Sequence, residues 1–503
     1  MLLSAASPAS DDFDRELVAA VHPATWTNPT PTGRYNLVVI GGGTAGLVSA
    51  VGAASLGARV ALIERQWLGG DCLNYGCVPS KALIRAARAA YDVRTATELG
   101  VQAGEPRVDF AAVMQRMRRL RAQIAPHDSA ERLAGLGIDV YFGDAKCVAR
   151  DAIEVADARL VFARAVIATG ARAAIPPVAG LAELAPLTNE TVFSLTALPR
   201  RLLVIGGGPI GCELAQAFRR FGSEVTIVGR DDRVLPREDR DASAIVQAQL
   251  EREGVRLVLG AVLTGATRTG DTCTLTYERA GAIETCSGEQ ILVAAGRTPN
   301  LGGLDLDAAG VAVTEHGIQV DDHLRTTNWR IYAAGDVASR FQFTHAADAL
   351  ARIAIQNALF FGRKRASALA MPWCTYTDPE IAHVGLYEQD AKDRHGDVTT
   401  LTVQLADNDR AVLDGETEGF ARAHVDRKGR LLGATFVARH AGESIGEASL
   451  AITTKQKLGA LAMTIHPYPT QAEVWKRLGD TYNARRLTPR VRKVFGWLMR
   501  RRR

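Results

Sequence analysis

Residues 35–46 read YNLVVIGGGTAG, and residues 201–211 read RLLVIGGGPIG. Both stretches start as a short apolar run, typical of a buried strand, and continue into the pattern Gly-x-Gly-x-x-Gly. A helical segment and a second apolar strand follow each of them, the strands at residues 59–64 and 224–228. The chain therefore predicts an α/β fold with two Rossmann-like dinucleotide-binding domains.

The glycines of the two motifs have separable roles. The first permits a tight turn, the second lets the backbone approach a pyrophosphate, and the third lets helix and strand pack closely. The pyrophosphate then lies at a helix N-terminus, where free N–H groups and the helix dipole favour anions. One such motif is weak evidence, because glycine-rich turns are common, but two copies in the same context argue against chance. The motif glycines are Gly41, Gly43 and Gly46, and Gly206, Gly208 and Gly211.

The ends of the second strands distinguish the two copies. The first ends on Glu64, which can accept hydrogen bonds from a ribose 2′-OH. The second has Gly229 at this place, followed by Arg230 and, further on, Arg233 and Arg237. Without the carboxylate a 2′-phosphate is not repelled, and the arginines could pair with it, so this site favours NADPH over NADH. The alternative is that these arginines are only solvated loop residues.

Two cysteines stand directly after the first βαβ unit, in residues 69–81, which read GGDCLNYGCVPSK. Cys72 and Cys77 can close a small disulfide ring at the start of a helix if the first turn is distorted. A helix N-terminus lowers a thiol pKa, so the reduced pair would contain a reactive thiolate, and the oxidised pair would store an electron pair. A static disulfide, two buried thiols and a zinc site are the alternatives. Zinc fits worst, because no second Cys/His pair has ligand spacing.

These motifs resemble the pyridine nucleotide–disulfide oxidoreductases, the family of dihydrolipoamide dehydrogenase, glutathione reductase and mercuric reductase. The resemblance covers about residues 34–482. Beyond the glycine motifs and the cysteine segment, it depends on IATG (167–170), AGRTPN (295–300), IYAAGD (331–336) and TYTDPE (375–380). It implies an FAD-binding domain, an NAD(P)-binding domain and a C-terminal α+β dimerisation domain, in a homodimer whose subunits share active sites.

The resemblance also implies roles for individual residues. Cys77 would be the thiolate stacked against the flavin, and Cys72 would be the thiol that attacks the substrate. Lys81 would lie near the reactive nitrogen of the flavin and pair with Glu213. The further cofactor residues are Gly143 beside the adenosine, Asp336 at the ribityl chain of FAD, and Thr169, Gly170 and Gly296 in the shorter motifs.

The C-terminal motif departs from that of dihydrolipoamide dehydrogenase and glutathione reductase. In those enzymes a His before the Pro-Thr of this motif is the acid–base partner of the attacking thiol, and a Glu orients it. Here residues 466–473 read HPYPTQAE, so Glu473 is in register but Tyr468 replaces the His. Tyrosine, with an ordinary pKa of about 10, is a poor base near neutrality, although it can donate a hydrogen bond. His466 is the alternative base, if its side chain reaches the same point.

A tyrosine at this position resembles mercuric reductase, but other features differ from that enzyme. Its C-terminal vicinal cysteines, which bind mercuric ion, are missing, and no Cys-x-x-Cys heavy-metal-binding domain precedes the flavin domain. Tyr75 stands between the two cysteines, where the family usually has a small aliphatic residue, and would narrow access to the sulfurs. The chain therefore resembles a mercuric-reductase-like branch without the metal-handling parts, and no resident metal site is expected.

Composition favours a soluble protein of about three domains. The 503 residues are 47% hydrophobic and 23% charged, and no apolar run reaches the length of a membrane span. Seven scattered cysteines and the lack of a secretory signal favour a reducing, cytoplasmic location. A short amphipathic helix is expected around Phe13–Val21, within an N-terminal extension and linker. The predicted boundaries are 1–33 for the extension, 34–190 and 306–370 for the FAD-binding domain, 191–305 for the NAD(P)-binding domain, 371–482 for the dimerisation domain and 483–503 for a basic tail.

The positive charge is concentrated in that tail. The chain has a net charge of +5, but nine Lys/Arg and no acidic residue lie between Arg485 and Arg503, so the remainder is net negative. The apolar residues of the segment fall on or beside one helical face: Val491, Val494, Phe495, Trp497 and Leu498. This pattern is typical of a basic amphipathic helix at an anionic membrane surface. A disordered charged tail is the alternative, and nucleic-acid binding is not expected, because no second basic patch is visible.

The sequence thus predicts an enzyme that passes electrons from NADPH (or NADH) through FAD and the Cys72–Cys77 pair to a metal ion or a disulfide. Dihydrolipoyl dehydrogenase is the alternative within the class, and the missing His disfavours it. A membrane-tethered quinone reductase, and a redox sensor that reports through the tail, are alternatives of other classes.

Overall fold

The computed structural model describes residues 11–502. The helices within them are, in chain order, α1 (Asp12–Val21), α2 (Thr44–Ser55), α3 (Gly70–Asn74), α4 (Cys77–Thr95), α5 (Phe110–Ile124), α6 (Ala130–Gly135), α7 (Pro209–Phe221), α8 (Arg240–Arg252), α9 (Leu306–Ala309), α10 (Thr344–Leu359), α11 (Glu388–His395), α12 (Asp409–Asp414), α13 (Ala441–Thr453), α14 (Leu458–Met463), α15 (Val474–Arg485) and α16 (Pro489–Arg501).

The strands are, in the same order, β1 (Tyr35–Ile40), β2 (Val60–Glu64), β3 (Ile138–Phe142), β4 (Ala145–Ala149), β5 (Ala152–Val155), β6 (Ala158–Ile167), β7 (Ala171–Ala173), β8 (Arg201–Ile205), β9 (Glu224–Val228), β10 (Arg256–Val258), β11 (Val262–Thr269), β12 (Thr272–Arg279), β13 (Ala282–Gly288), β14 (Gln290–Val293), β15 (Arg297–Pro299), β16 (Val313–Thr314), β17 (Gly317–Ile318), β18 (Ile331–Ala333), β19 (Pro372–Thr375), β20 (Glu380–Gly385), β21 (Val398–Gln404), β22 (Phe420–Asp426) and β23 (Leu431–Ala438).

The chain forms two compact units. The first contains the residues up to Asp232 and the range Gly254–Ala368, and the second contains Arg233–Glu253 and the residues from Leu369 onwards. Helix α8 therefore belongs to the second unit, although it lies in sequence between strands of the first. Within the described residues, none of the helices combines the length and the apolar character needed to cross a bilayer.

The two predicted βαβ motifs are confirmed in two sheets of the first unit, of which the first is mixed, because β4 and β5 extend it antiparallel from β6. Strand β1 pairs in parallel with β2 and β6, and β18 adds to β6. The second sheet has the order β10-β9-β8-β14 and is parallel throughout. Five of the six residues of β1 are buried, as expected for a parallel strand that is covered on both faces. The carboxyl end of the first strand in each sheet leads into the glycine motif.

The N-terminal segment packs against the first unit, although its composition suggested a linker. Helix α1 confirms the amphipathic helix expected near Phe13–Val21; it buries Leu17 and Val21 and packs against α5. Beyond it, the Trp26 indole donates to the Val140 carbonyl over 3.1 Å, and the Asn28 amide pairs with the backbone of Phe142. Composition did not indicate these contacts, because each joins residues more than a hundred positions apart.

The second unit is built on an antiparallel sheet of order β19-β20-β23-β22-β21. Helices α13 and α15 pack against it, with Trp475 completely buried against Phe436. The Trp475 indole N–H donates to Ser444, so the polar atom of this core residue has a partner.

Candidate active site

The cysteine segment lies at an interrupted helix start. Cys72 lies within α3, the helix stops at Tyr75, and Cys77 is the first residue of α4. Gly76 between them has little room for a side chain, because a Cβ there would lie 2.9 Å from the Asp71 carbonyl oxygen. This is the distorted first turn that a short ring between the two cysteines requires. The structure holds the pair as two thiols that share a hydrogen bond, with Cys77 exposed and Cys72 half-buried.

The two sulfurs differ in acidity. The hydrogen bond from Cys72, together with Thr344 and the positive charge of Lys81, lowers the pKa of Cys77 to about 6, against the partial loss of water around its sulfur. The same hydrogen bond and burial raise the pKa of Cys72 well above its ordinary value. Cys77 is therefore a thiolate at neutral pH and Cys72 a protonated thiol that donates to it, so the pair carries one negative charge.

Thr344 is a contact of this pair that sequence reasoning missed. Its hydroxyl oxygen lies 3.3 Å from the Cys77 sulfur. Because Thr344 is the first residue of α10, it also brings the N-terminus of a long helix to the sulfurs, where the helix dipole favours a negative charge. The signal in the sequence would have been a hydroxyl residue at a helix start, but 267 positions separate it from Cys77.

Sequence reasoning also missed a second set of residues, which form hydrogen bonds that hold the cysteine segment in place. Asn74 is buried, and its side-chain amide donates to the carbonyls of Leu68 and Gly70. Its own carbonyl accepts from Arg121 of α5 over 2.9 Å, and Arg121 in turn pairs with Asp14 of α1 over 2.6 Å. The N-terminal helix is thus linked to the redox segment through a buried ion pair.

Asp71, next to Cys72, is held by two groups that are distant in sequence, one of them Arg297 of the segment 295–300. The Asn189 amide donates to one of its oxygens over 2.8 Å, and Arg297 lies 3.4 Å from the other. Arg297 also lies 3.5 Å from Asp336, whose pKa is raised to about 6 by burial, against the opposing charge of Arg297. The predicted residue Asp336 and the cysteine segment therefore share one arginine.

Lys81 and Glu213 form the pair that the family motif implied. Their charged atoms are 2.8 Å apart; Glu213 is buried, and Lys81 is about one-third exposed. Lys81 is on α4, one helical turn after Cys77, and Glu213 is on α7, two residues after Gly211 of the second glycine motif. The ion pair therefore joins the redox helix to the helix of the second nucleotide motif.

The first glycine motif has the geometry of a pyrophosphate loop. Gly41 has φ of +104°, and a Cβ there would lie 2.4 Å from the Ala168 carbonyl oxygen. At Gly46 a Cβ would overlap the Gly41 carbonyl oxygen, so only glycine permits this helix–strand approach. Gly43, at the start of α2, has no atom closer than 3.7 Å to such a Cβ and leaves room for an approaching phosphate. These residues fit FAD.

The remaining first-site residues surround that loop. Glu64 accepts from the Gly42 N–H over 2.6 Å and from the Gln66 N–H over 2.7 Å, and burial raises the pKa of its carboxyl group. The Gly143 N–H bonds the Glu64 carbonyl over 3.0 Å. Thr169 and Gly170 form a tight reciprocal set of hydrogen bonds with Asn300, which joins the first motif to the strand that follows Gly296.

The second glycine motif repeats the first in its contacts. A Cβ on Gly206 would lie 2.4 Å from the Ala294 carbonyl oxygen, and one on Gly211 would lie 2.0 Å from the Gly206 carbonyl oxygen. Nothing lies within 4 Å of such an atom on Gly208. The second site therefore also fits a dinucleotide. Gly296, with φ of +118°, follows β14 and likewise has open space where a Cβ would be.

The three arginines that follow Gly229 in the sequence differ in their surroundings. Arg230 is exposed and directly follows the buried Gly229, where a Cβ would lie 3.8 Å from the Gly207 nitrogen. Arg233 is half-buried and donates to the Pro236 carbonyl over 2.7 Å. Arg237 is exposed. Arg230 is therefore the arginine that directly follows the position of the missing carboxylate.

The C-terminal motif lies in the second unit. The sequence suggested that Glu473 would orient the residue at position 468, but the structure gives that residue a different partner. Tyr468 is 70% exposed, and its hydroxyl donates to Asp409 over 2.9 Å, which raises the tyrosine pKa. Glu473 faces Arg477 at 4.0 Å, and Arg477 also lies 3.5 Å from Asp409. Asp409, which sequence reasoning missed, thus holds the position-468 side chain in this subunit.

His466, the alternative base, does not have a free ring nitrogen. One ring nitrogen contacts the Glu447 carboxylate over 3.0 Å, and the other contacts the Thr464 carbonyl over 3.1 Å. The side chain is 5% exposed. His466 is a structural residue of the second unit, and Tyr468 remains the residue presented at this motif.

Tyr75, which stands between the two cysteines in sequence, packs against the loop after β2. Its ring stacks on Trp67 with 5.6 Å between centroids, and its hydroxyl accepts from the Gln66 amide over 3.4 Å. Burial raises the pKa of Tyr75. The side chain is therefore anchored to the loop after β2. Across residues 11–502, no group of three or more His, Cys, Asp or Glu side chains is placed to hold a metal ion.

Comparisons with known proteins agree with this geometry. The family pattern of the pyridine nucleotide-disulphide oxidoreductases matches residues 35–351, and that of their dimerisation domain matches residues 371–478. The mercuric reductase of Bacillus cereus is 37% identical over 87% of this chain and 70% of its own length. The dihydrolipoyl dehydrogenase of Geobacillus stearothermophilus is 33% identical over 87% of this chain and 94% of its own length.

Solved structures show the same fold. The Cu(II) complex of the HOCl-induced flavoprotein disulfide reductase RclA from Escherichia coli is 29% identical, with a TM-score of 0.80 over 90% of this chain and 100% of that one. LpdA from Mycobacterium tuberculosis is 28% identical, with a TM-score of 0.81 over 89% and 99% of the two chains.

The chain belongs to the class I pyridine nucleotide–disulfide oxidoreductases, whose members are NAD(P)H-dependent flavoprotein enzymes that bind FAD. The predicted fold class is confirmed: two dinucleotide-binding domains are followed by the family's C-terminal dimerisation domain, which supports a homodimer.

Proposed function

We propose that this enzyme uses NADPH to reduce the Cys72–Cys77 pair and passes the electrons on to a thiophilic metal ion. The observation that carries the proposal is the combination of a thiolate–thiol pair with a C-terminal motif that offers no base. Tyr468 is bonded to Asp409, and His466 is bonded to Glu447.

The acceptor follows from what each reaction demands of the protein. Reduction of an organic disulfide requires a base for the attacking thiol and an acid for the leaving thiolate. A metal ion binds sulfur directly and displaces the Cys72 proton to solvent, so it needs neither group. Relatives named mercuric reductase and the Cu(II) complex of a structural neighbour support this class of acceptor.

The residues of this chain have distinct tasks in the reaction. Bound FAD supplies the two-electron transfer between the nicotinamide and the disulfide. Cys77 holds a negative charge that Thr344 and Lys81 stabilise, and Glu213 holds Lys81 in place. Cys72 is the sulfur that meets the acceptor. Oxidation of the Cys77 thiolate and the Cys72 thiol to the disulfide releases two electrons and the one proton of Cys72. The electrons convert Hg(II) to Hg(0), or two Cu(II) ions to two Cu(I) ions, and the proton passes to solvent.

The preference for NADPH rests on the second site. Gly229 presents no carboxylate to a 2′-phosphate, and Arg230 beside it is exposed and can form a charge-assisted contact. We infer, further, that the dimerisation domain completes each active site from the other subunit. Its exposed apolar side chains support that inference: Leu413, Leu450, Met463, Ile465 and Tyr468.

The decisive experiment is an acceptor screen of the purified holoenzyme. NADPH oxidation should be supported by Hg(II) or Cu(II), weakly by lipoamide and glutathione disulfide, and should be lost in Cys72→Ser with every acceptor that uses the pair. Equal quinone turnover by wild type and Cys72→Ser would mean that the disulfide is not on the route. Rapid lipoamide turnover near neutral pH would make dihydrolipoyl dehydrogenase the better assignment.

An anaerobic NADPH titration tests the route without choosing an acceptor. Wild type should take up twice the reducing equivalents that FAD alone requires and expose two new thiols, whereas Cys72→Ser should take up only those of FAD. Identical titrations would exclude the pair as an electron store.

A further inference from the structure

We propose that helix α16 docks the enzyme on anionic lipid bilayers, lying along the membrane surface. The helix runs from Pro489 to Arg501 and is capped by Thr488, whose hydroxyl oxygen accepts from the Val491 N–H over 3.4 Å. At about 1.5 Å per residue it is about 20 Å long, too short to span a bilayer and long enough to lie on one.

The helix has an apolar face with no protein cover. All of its residues are described, and none is buried. The apolar side chains that the helical repeat brings to one side or next to it are Val491, Val494, Phe495, Trp497, Leu498 and Met499. Five of these six are exposed, between 39% for Leu498 and 58% for Met499. Such an uncovered apolar face requires an apolar surface to cover it.

The positive charge around the apolar face of α16 indicates which surface covers it. Cations flank the apolar face on both sides, with Arg492 along one edge and Arg490 and Arg501 along the other. The Arg501 guanidinium lies over the Trp497 ring at 4.0 Å, so the pair presents an amphipathic edge suited to a headgroup region. No acidic residue follows Asp480, while the rest of the chain is net negative. An anionic bilayer offers both the apolar interior and the negative surface that this arrangement matches.

Other partners would match either the cations or the apolar face of α16, but not both. A nucleic acid would satisfy the arginines and leave the Val494–Leu498 face in water. A second copy of the chain would cover the apolar face but bring a second set of like charges to it. The membrane also agrees with the exposure of α16: within residues 11–502, none of the residues after Leu478 and Gly479 of α15 is buried.

The test is co-sedimentation of the full-length holoenzyme with vesicles of phosphatidylcholine alone or mixed with phosphatidylglycerol. Binding should require phosphatidylglycerol and weaken at high salt, because screening shortens the reach of the charges to a few ångström. Leu498→Gln leaves the charge unchanged and should weaken binding about tenfold. The matched control is Gly496→Gln, which adds the same side chain away from the apolar face and should bind as wild type.

Two further readouts keep the outcome decisive. Trp497 fluorescence, taken as the difference between wild type and Trp497→Phe, should shift to shorter wavelength on anionic vesicles only. NADPH-dependent turnover and FAD content should not change in Leu498→Gln. The proposal is overturned if wild type stays in the supernatant with anionic vesicles at low salt. It is equally overturned if Leu498→Gln dissociates the dimer, or if duplex DNA binds wild type and Leu498→Gln equally and competes away the vesicles.

Discussion

At the scale of single residues, the two active-site sulfurs derive their difference from each other. Cys72 donates to Cys77, and this contact is the largest cause of the low thiolate pKa, ahead of Thr344 and Lys81. A thiolate at neutral pH can store charge beside the bound cofactor without the help of a base. The same contact keeps Cys72 protonated until an acceptor removes its proton.

Removing the donor should therefore raise the pKa of Cys77. In reduced Cys72→Ala we expect it to move from about 6 towards the ordinary value of about 8.5. Cys72→Ser, whose hydroxyl can still donate, should keep it low. The measurement is the pH dependence of thiolate absorbance in the ultraviolet. Equal pKa values in the two variants would mean that Thr344 and Lys81, and not Cys72, hold the charge.

The same shift predicts how stability depends on pH. Because folding lowers the pKa of Cys77, the unfolded chain binds more protons than the folded one between about pH 6 and 8.5. The free energy of unfolding of the reduced protein should therefore rise with pH across that window, relative to Cys77→Ser, and the gain should vanish below about pH 6. Denaturant titrations at several pH values check the sign. A flat difference would contradict the assignment of the thiolate.

Tyr468 limits turnover of those acceptors whose reduction requires a general base. Tyr468→His places an imidazole beside Asp409, which can accept from one ring nitrogen and leave the other to take a proton. We expect lipoamide turnover near neutral pH to rise by about 10²-fold or more, the usual contribution of a general base. Tyr468→Phe, which supplies no base, should not increase it. If wild type reduces lipoamide as fast as Tyr468→His does, another group already acts as the general base.

Arg230 should carry most of the preference between the two nicotinamide dinucleotides. A charge-assisted contact to phosphate is worth about 1.5–3 kcal/mol, so Arg230→Ala should weaken NADPH about tenfold or more and leave NADH unchanged. Arg237→Ala, at another exposed arginine of the same stretch, is the control and should change neither. Steady-state KM values for both nucleotides decide it, and an equal loss for both would make Arg230 structural.

At the scale of elements, the redox segment and the first glycine loop constrain each other. Gly70 begins α3 with φ of +55°, and a Cβ there would lie 2.5 Å from Gly43 Cα. The helix that carries Cys72 can thus start where it does only because two glycines meet. The contact joins the start of the helix that carries Cys72 directly to the pyrophosphate loop.

Gly70→Ala should therefore reduce FAD content as well as stability. The matched control is Gly100→Ala, which has a similar backbone, with φ of +80°, but nothing within 4 Å of the new atom. The control should cost only the backbone strain of about 1–2 kcal/mol and keep its flavin. Flavin absorbance per chain after purification is the measurement. Full flavin content in Gly70→Ala would mean that the two segments separate at little cost.

At the scale of the whole molecule, the chain divides into two units with separate cores. The residues assigned to FAD lie in the first unit, whereas Tyr468, Asp409 and Glu473 lie in the second. The second core is centred on Trp475, which is fully buried against Phe436 and bonded to Ser444. Damage to that core should therefore act on assembly before it acts on flavin binding.

Trp475→Ala tests this division. Loss of the ring should cost about 3–5 kcal/mol, enough to unfold a marginal unit. We expect sedimentation to show loss of the dimer while flavin remains bound to the first unit. Trp475→Phe keeps most of the volume and should stay dimeric. Simultaneous loss of flavin and dimer in Trp475→Ala would show that the two units fold as one.

The strands and turns around the glycine motifs could be predicted because their causes are local. A buried strand is a short apolar run, and a left-handed turn such as that at Gly41 requires glycine, whatever surrounds it. The spacing of Cys72 and Cys77 likewise predicts a distorted helix start. Composition does not report, however, that Trp26 and Asn28 in the segment predicted as an extension and linker bond the backbone of β3.

By itself, the sequence determined the class of enzyme, since the two glycine motifs and the cysteine segment are each read from a few neighbouring residues. Tertiary structure alone decided the surroundings of the chemistry. Thr344 reaches Cys77 across 267 positions, Arg121 connects Asn74 to Asp14, and His466 is occupied by Glu447 rather than free. The physical reason is that hydrogen bonds and ion pairs act over a few ångström in space, whatever the separation along the chain, so the partners exist only once the chain has folded.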